Sequence, residues 1–183
     1  MMSYWIKKTL DDSQIAQPYP AENSLQPELK PLLERVIDRM LEYYEQFPAR
    51  HTRFFHGMDA VLADLDAREI PWGIVTNKRS RFTTPLATSL GLHNRTACIV
   101  SGDTTPKAKP HPLPLLRAAE ILGLDPLNCA YVGDAQRDIE AGKRAGMRTL
   151  VAGYGYIAKK DHPGDWGAEA TLDQPADLLP WIQ

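Results

Sequence analysis

Tyr131-Val132-Gly133-Asp134-Ala135-Gln136-Arg137-Asp138 is the stretch whose reading decides the fold. Ala130 to Val132 reads as a short buried strand, and Gly133 lets the backbone turn with no side chain in the way. Asp134 and Asp138 follow four residues apart, and Gln136 to Ala145 reads as a helix ended by Gly146. A strand that closes in Gly-Asp and runs into a helix sets that carboxylate at the C-terminal edge of a sheet, where open α/β sheets bind ligands. A second carboxylate one helical turn later points at the same spot. Two carboxylates at one edge suit a hard divalent cation such as Mg²⁺.

Outward from this stretch the chain alternates. Strands are predicted over Pro71–Thr76, Ala97–Ser101, Cys129–Gly133 and Arg148–Ala152. Helices are predicted over Arg79–Leu90 and His111–Leu122, the latter stopped by Gly123. Apolar strands alternating with helices indicate an α/β fold, a parallel sheet covered on both faces. Upstream, Lys30 to Gln46 carries a helix signal, with Leu29, Leu32, Leu33, Val36, Ile37, Met40, Leu41 and Tyr44 at three- and four-residue spacing. Arg50 to His56 reads as a linker, and Gly57 opens a helix with Met58, Val61, Leu62 and Leu65 on one face. The tail from Tyr154 is turn-rich and closes in a short helix near Pro175 to Ile182.

A net charge of −2 over 183 residues supplies no basic footprint for nucleic acid and no polybasic membrane patch. No apolar run approaches the length of a transmembrane helix, and the first residues lack a secretory signal. Cys98 and Cys129 both fall in predicted strands and read as small buried residues of a reduced, cytoplasmic setting.

The alternation brings three polar clusters to one sheet edge. Thr76, Asn77 and Lys78 lie just past a strand, where a hydroxyl and the free N–H groups of a helix start can hold a phosphate oxygen; the plainer alternative is a helix cap. Lys109 stands in Lys107-Ala108-Lys109-Pro110-His111-Pro112, placed by prolines to reach the edge as a fixed cation, with a solvated loop lysine as the alternative. His111 reads as a surface residue at a helix start. Asp134 with Asp138 forms the third cluster.

In this order the clusters resemble the second, third and fourth motifs of the haloacid dehalogenase superfamily of phosphohydrolases: Val75-Thr76-Asn77-Lys78, Lys109-Pro110-His111-Pro112, and Val132-Gly133-Asp134 through Asp138. Tyr154-Gly155-Tyr156-Ile157 and Trp166-Gly167-Ala168 look like the end of the bacterial phosphoglycolate phosphatase group, whose relatives also act on N-acetylmuramic acid 6-phosphate. The resemblance implies a three-layer Rossmann-like core over residues 56–183, with residues 1–55 the remnant of a helical cap. It implies a Mg²⁺-dependent phosphatase of small phosphorylated metabolites. Thr76, Asn77 and Lys109 would bind phosphate, and Asp134 and Asp138 would serve the metal. Asp138 would either orient Lys109 or complete the metal's outer shell.

That family begins with an aspartate-x-aspartate motif on its central strand, the first aspartate attacking phosphorus and the second acting as general acid and base. No such motif stands in the expected place. Asp11-Asp12 follows no apolar strand, and Asp64-Leu65-Asp66 lies inside the helix that begins near Met58. Residues two apart on a helix do not share a face, which removes that pair as a nucleophile. The chain therefore reads as a truncated member lacking its first strand, with the Ile74 and Ala130 strands left as open edges and self-association an expected result. Tyr4-Trp5-Ile6 is the stretch available to fill the gap. The competing reading is a catalytically inactive fragment or pseudoenzyme that binds phosphate, Mg²⁺ or a partner chain. A receiver-like α/β domain ranks last, because Asp134 comes too late in the chain to be its phosphoacceptor.

Overall fold

The computed structural model describes residues 2–3, 6–7, 29, 31–33, 35–36, 39, 42–43 and 52–182. Strands β1 (Met2–Ser3), β4 (Gly73–Val75), β5 (Cys98–Val100), β6 (Ala130–Gly133), β7 (Arg148–Ala152) and β8 (Ala170–Leu172) form one sheet in the order β5-β4-β1-β6-β7-β8. Every pairing in it is parallel. A separate antiparallel pair joins β2 (Ile6–Lys7) to β3 (Arg53–Phe54).

The alternation along the strands divides the core into two layers of side chains, as a period of two requires. Ile74, Val132 and Leu150 face α1 (Met58–Ala67) and α2 (Ser80–Ser89), meeting Met58, Val61, Leu62, Leu65, Leu86 and Ala87. Val75, Val100 and Tyr131 face the opposite side, against Leu115, Ala118 and Ala119 of α3 (Leu113–Leu122) and Ala141 of α4 (Gln136–Arg144). The fold is thus the expected three-layer α/β core. Each predicted strand and helix of the alternation is present; β7 keeps its predicted bounds, and the others are shorter by one to three residues in all.

The centre of the sheet is filled. Met2 pairs with Ile74 on one side and Val132 on the other, and Ser3 pairs with Val75. The expected absence of a central strand, and of pairing along these parts of β4 and β6, is corrected by this register. Of the stretch Tyr4-Trp5-Ile6, Ile6 belongs to the antiparallel pair with Phe54, and Tyr4 and Trp5 lie outside the described residues. Met2–Ser3 therefore belongs to the core sheet, although it lies on the N-terminal side of a division at residue 55.

Three smaller differences have local causes. β8 lies in a tail expected to be turn-rich with a short closing helix and no strand; it adds a sixth strand beside β7. The closing element Pro175–Trp181 is a 3-10 helix with Pro180 inside it, and proline removes the N–H that an α-helix would use there. Cys129 ends the 3-10 turn Pro126–Asn128 rather than standing in β6, while Cys98 is in β5; both are free and buried. Upstream, residues 31–33, 35–36, 39 and 42–43 are helical, as expected. Leu32 and Val36 are exposed there, and Leu33 is half-buried. Ile37, Met40, Leu41 and Tyr44 lie outside the described residues, as do Asp11 and Asp12.

Candidate functional site

Strands β4 and β6 flank β1, and their C-terminal ends deliver the first and third clusters to one edge. Thr76 directly follows β4. Its N–H donates to the Val100 carbonyl at 2.9 Å, which carries the β4–β5 ladder one residue further. Its buried hydroxyl oxygen accepts the Lys78 N–H at 3.1 Å, a local turn that fixes the oxygen while the hydroxyl proton stays available to a ligand. Neither Thr76 nor Asn77 caps α2. That task falls to Asp103, which accepts the Ser80 N–H at 2.8 Å and the Ser80 hydroxyl at 2.9 Å. These bonds hold the Asp103 carboxyl below its ordinary pKa, with the Ser80 N–H the leading cause.

Asn77 ties the β4 turn to the lysine loop. Its Oδ1 accepts the Lys109 N–H at 3.0 Å, and its Nδ2 donates to the Lys109 carbonyl at 2.9 Å. The side-chain amide thus does for Lys109 what a neighbouring strand would do, and fixes the backbone from which the ammonium reaches inward. The Lys109-Pro110 bond that follows is cis.

Lys109 is not a solvated loop residue: its side chain and that of Asp138 are each 4% exposed, and Nζ lies 2.7 Å from Asp138 Oδ1. The same ammonium donates to Tyr131 Oη at 2.8 Å and to the Val75 carbonyl at 3.0 Å. Burial alone would pull the lysine pKa down. The Tyr131 oxygen and the Asp138 carboxylate outweigh it and push the value above that of an ordinary lysine. Asp138 Oδ1 has no well-directed hydrogen bond, so its contact with the ammonium is an ion pair at close range rather than an aligned bond. Gly133 makes room for this carboxylate. A Cβ there would collide with Asp138 Cβ and lie 2.9 Å from its Oδ2.

Asp134 stands at the turn between β6 and α4. Its Oδ2 accepts the Tyr156 N–H at 3.0 Å, and a Cβ on Gly155 would lie 2.8 Å from that same oxygen. Burial raises its pKa, the Tyr156 N–H opposes that shift, and the Asp138 charge adds to it. A carboxylate so placed gains from a nearby cation, so Asp134 fits the expected metal. Among the described residues, no three His, Cys, Asp or Glu side chains come together as a ready-made cluster. A cation here would therefore complete its shell with backbone, ligand or water oxygens, as Mg²⁺ commonly does.

The structure thus brings Thr76, Asn77, Lys109 and Asp138 together, with Asp134 beside them. Of the two roles read for Asp138, the geometry favours orientation of Lys109. Tyr131 was legible only as a buried strand residue; nothing in its spacing marks its hydroxyl. Tyr154 meets Phe55 edge-on and Tyr156 meets it at a tilt, with ring centroids 5.4 and 5.7 Å away. His111 is an exposed helix-start residue, its Nδ1 accepting the Leu113 N–H at 3.2 Å. Asp64 and Asp66 lie on α1, engaged by Arg68 at 3.1 Å and by Trp72 Nε1 at 2.8 Å, and Trp72 enters β4 at its opposite end.

A family model described as haloacid dehalogenase-like hydrolase matches residues 9–152. The chain is 44% identical over 138 residues to an N-acetylmuramic acid 6-phosphate phosphatase of Pseudomonas putida, covering 75% of this chain and 62% of that protein. It is 40% identical over 143 residues to a phosphoglycolate phosphatase of Xylella fastidiosa, covering 78% and 62%. The chain therefore spans less than two thirds of the length of these curated relatives. The crystal structure of a predicted phosphoglycolate phosphatase from Haemophilus somnus superposes with a TM-score of 0.72 at 28% identity, over 77% of this chain and 62% of that one.

Proposed function

The chain belongs to the haloacid dehalogenase-like hydrolases, and on that premise we propose that it carries the phosphate-binding side of a Mg²⁺-dependent phosphomonoesterase acting on small phosphorylated metabolites in the cytoplasm. The single observation behind this reading is the buried Lys109–Asp138 pair at 2.7 Å, beside Thr76 at the C-terminal edge of the sheet. A buried cation paired with a carboxylate contributes little to stability compared with apolar packing. It is well suited to meet a ligand whose charge is fixed and negative.

In this reading the Thr76 hydroxyl and Lys109 bind oxygens of the phosphoryl group, and Asn77 keeps the lysine backbone in place. Asp138 holds the ammonium charged and aimed. Asp134 supplies the carboxylate for Mg²⁺, which when bound neutralises charge on the phosphoryl oxygens. Positioning and charge neutralisation make up most of phosphoryl-transfer catalysis, and these residues provide both. Relatives named for phosphoglycolate and for N-acetylmuramic acid 6-phosphate support a small phosphorylated substrate.

A second reading has its own support. In sequence, β1 is followed by Tyr4-Trp5, which carry no carboxylate where the family has its nucleophile. On this reading the chain binds phosphate and Mg²⁺ without turning over an ester.

Hydrolysis of p-nitrophenyl phosphate, with and without Mg²⁺, separates the two when run beside calorimetry of inorganic phosphate binding and an Asp134→Asn control. Turnover that needs both Mg²⁺ and Asp134 supports the enzyme. Mg²⁺-dependent phosphate binding with no turnover supports the binding module. No heat with phosphate or Mg²⁺ removes both.

A further inference from the structure

We infer that Tyr131 is a positioning residue for Lys109, its hydroxyl anchoring the buried ammonium to the end of β4 one residue before Thr76. The inference rests on Lys109 being the phosphate-side cation, and it extends that site to a residue outside the three motifs' charged and hydroxyl groups. A lysine ammonium has three protons. Among the described residues this one donates to Tyr131 Oη at 2.8 Å and to the Val75 carbonyl at 3.0 Å, with Asp138 Oδ1 paired to it at 2.7 Å. Tyr131 Oη in turn donates to the same Val75 carbonyl at 3.1 Å, closing a triangle of ammonium, phenol and carbonyl. Lys109 Nζ also lies 5.4 Å from the Tyr131 ring centroid.

Among the described residues Asp138 supplies the counter-charge, but a point charge on a four-carbon stem can satisfy one carboxylate from many directions. The triangle removes that freedom. It refers the ammonium to the backbone of β4, the strand that also sets Thr76, so the two phosphate-facing groups share one frame.

Core packing does not account for the hydroxyl. Tyr131 is fully buried on the α3–α4 side of the sheet, and a phenylalanine ring would serve the same apolar neighbours. Burying a hydroxyl is unfavourable unless it is hydrogen-bonded. Here the hydroxyl accepts from the lysine and donates to the carbonyl the lysine also uses.

The test is Tyr131→Phe in the 183-residue chain, read in two ways. In ¹⁵N-labelled wild-type protein the Lys109 ammonium gives its own ¹H–¹⁵N signal, because its protons are held and sheltered; contacts to the Tyr131 ring assign it. In Tyr131→Phe that signal broadens away or moves, and affinity for inorganic phosphate in the presence of Mg²⁺ falls roughly three- to tenfold, the loss of one hydrogen bond. A variant that keeps both the signal and the affinity overturns the inference, as does a wild-type chain with no Lys109 ammonium signal. If the wild type binds no phosphate, the phosphate reading fails while the ammonium comparison still decides the role of Tyr131. Should Tyr131→Phe not fold, uniform replacement of tyrosine by 3-fluorotyrosine keeps the shape and the hydroxyl but alters its acidity. The Lys109 signal then shifts, and an unmoved signal overturns the inference.

Discussion

Two residues of the site carry opposite relations to stability. Lys109 has its pKa raised by Tyr131 and Asp138 over the opposing effect of burial. The folded chain therefore holds that proton more tightly than the unfolded chain. Its contribution is complete below the ordinary lysine value of 10.5 and is lost only as pH climbs through the higher folded value. Asp138→Asn strips the counter-charge from a buried ammonium and is expected to cost about 3–5 kcal/mol in urea unfolding at neutral pH. Asp134 runs the other way. Burial and the Asp138 charge raise its pKa, so the folded chain favours the protonated acid, and stability falls as pH rises from the ordinary 3.8 through the raised value. Asp134→Asn keeps an acceptor for the Tyr156 N–H but sheds the charge. In a chelator at pH 7 its Tm is expected to exceed the wild type's by a few degrees, the gain vanishing below the ordinary aspartate pKa. Added Mg²⁺ is expected to raise the wild-type Tm and leave the variant's unchanged.

Among the elements, the loops after β4 and before α3 depend on Asn77. Its amide bridges 32 residues of sequence with two bonds to the Lys109 backbone. Asn77→Ala leaves a donor and an acceptor on that backbone without their partner, and is expected to cost about 1–3 kcal/mol, together with weaker phosphate binding, measured by urea unfolding and calorimetry. Within the sheet, β7 is paired on both sides, by β6 and β8, and Leu150 is fully buried against the α1–α2 layer. Leu150→Ala is expected to cost about 2–5 kcal/mol in the same unfolding measurement, with the midpoint moved and the slope kept.

For the molecule entire, what could be read in advance follows from length of signal. The β4–α2–β5–α3–β6–α4–β7 alternation is legible because each strand is apolar and each helix shows one buried face. Gly133 and the paired aspartates mark the ligand edge because few other patterns require a glycine under a carboxylate. β1, β3 and β8 were not legible: two or three residues hold no period, and their pairing is decided by neighbours far along the chain. Tyr131 was hidden for a different reason. Sequence shows that it is buried, but only the structure shows that its oxygen ends beside Lys109 and Val75.

The two-residue β1 also bears on how the molecule yields to force. Among the described residues, strands β5 and β4 on one side and β6, β7 and β8 on the other meet in the ladder through Met2–Ser3, while the phenol of Tyr131 on β6 reaches Val75 on β4. Drawn out by tension on its N-terminal end, this strand has three register pairs to surrender among the described residues. In a single-molecule pulling trace it is expected to leave first as a short extension, and the peak that follows should weaken when the phenol latch is cut.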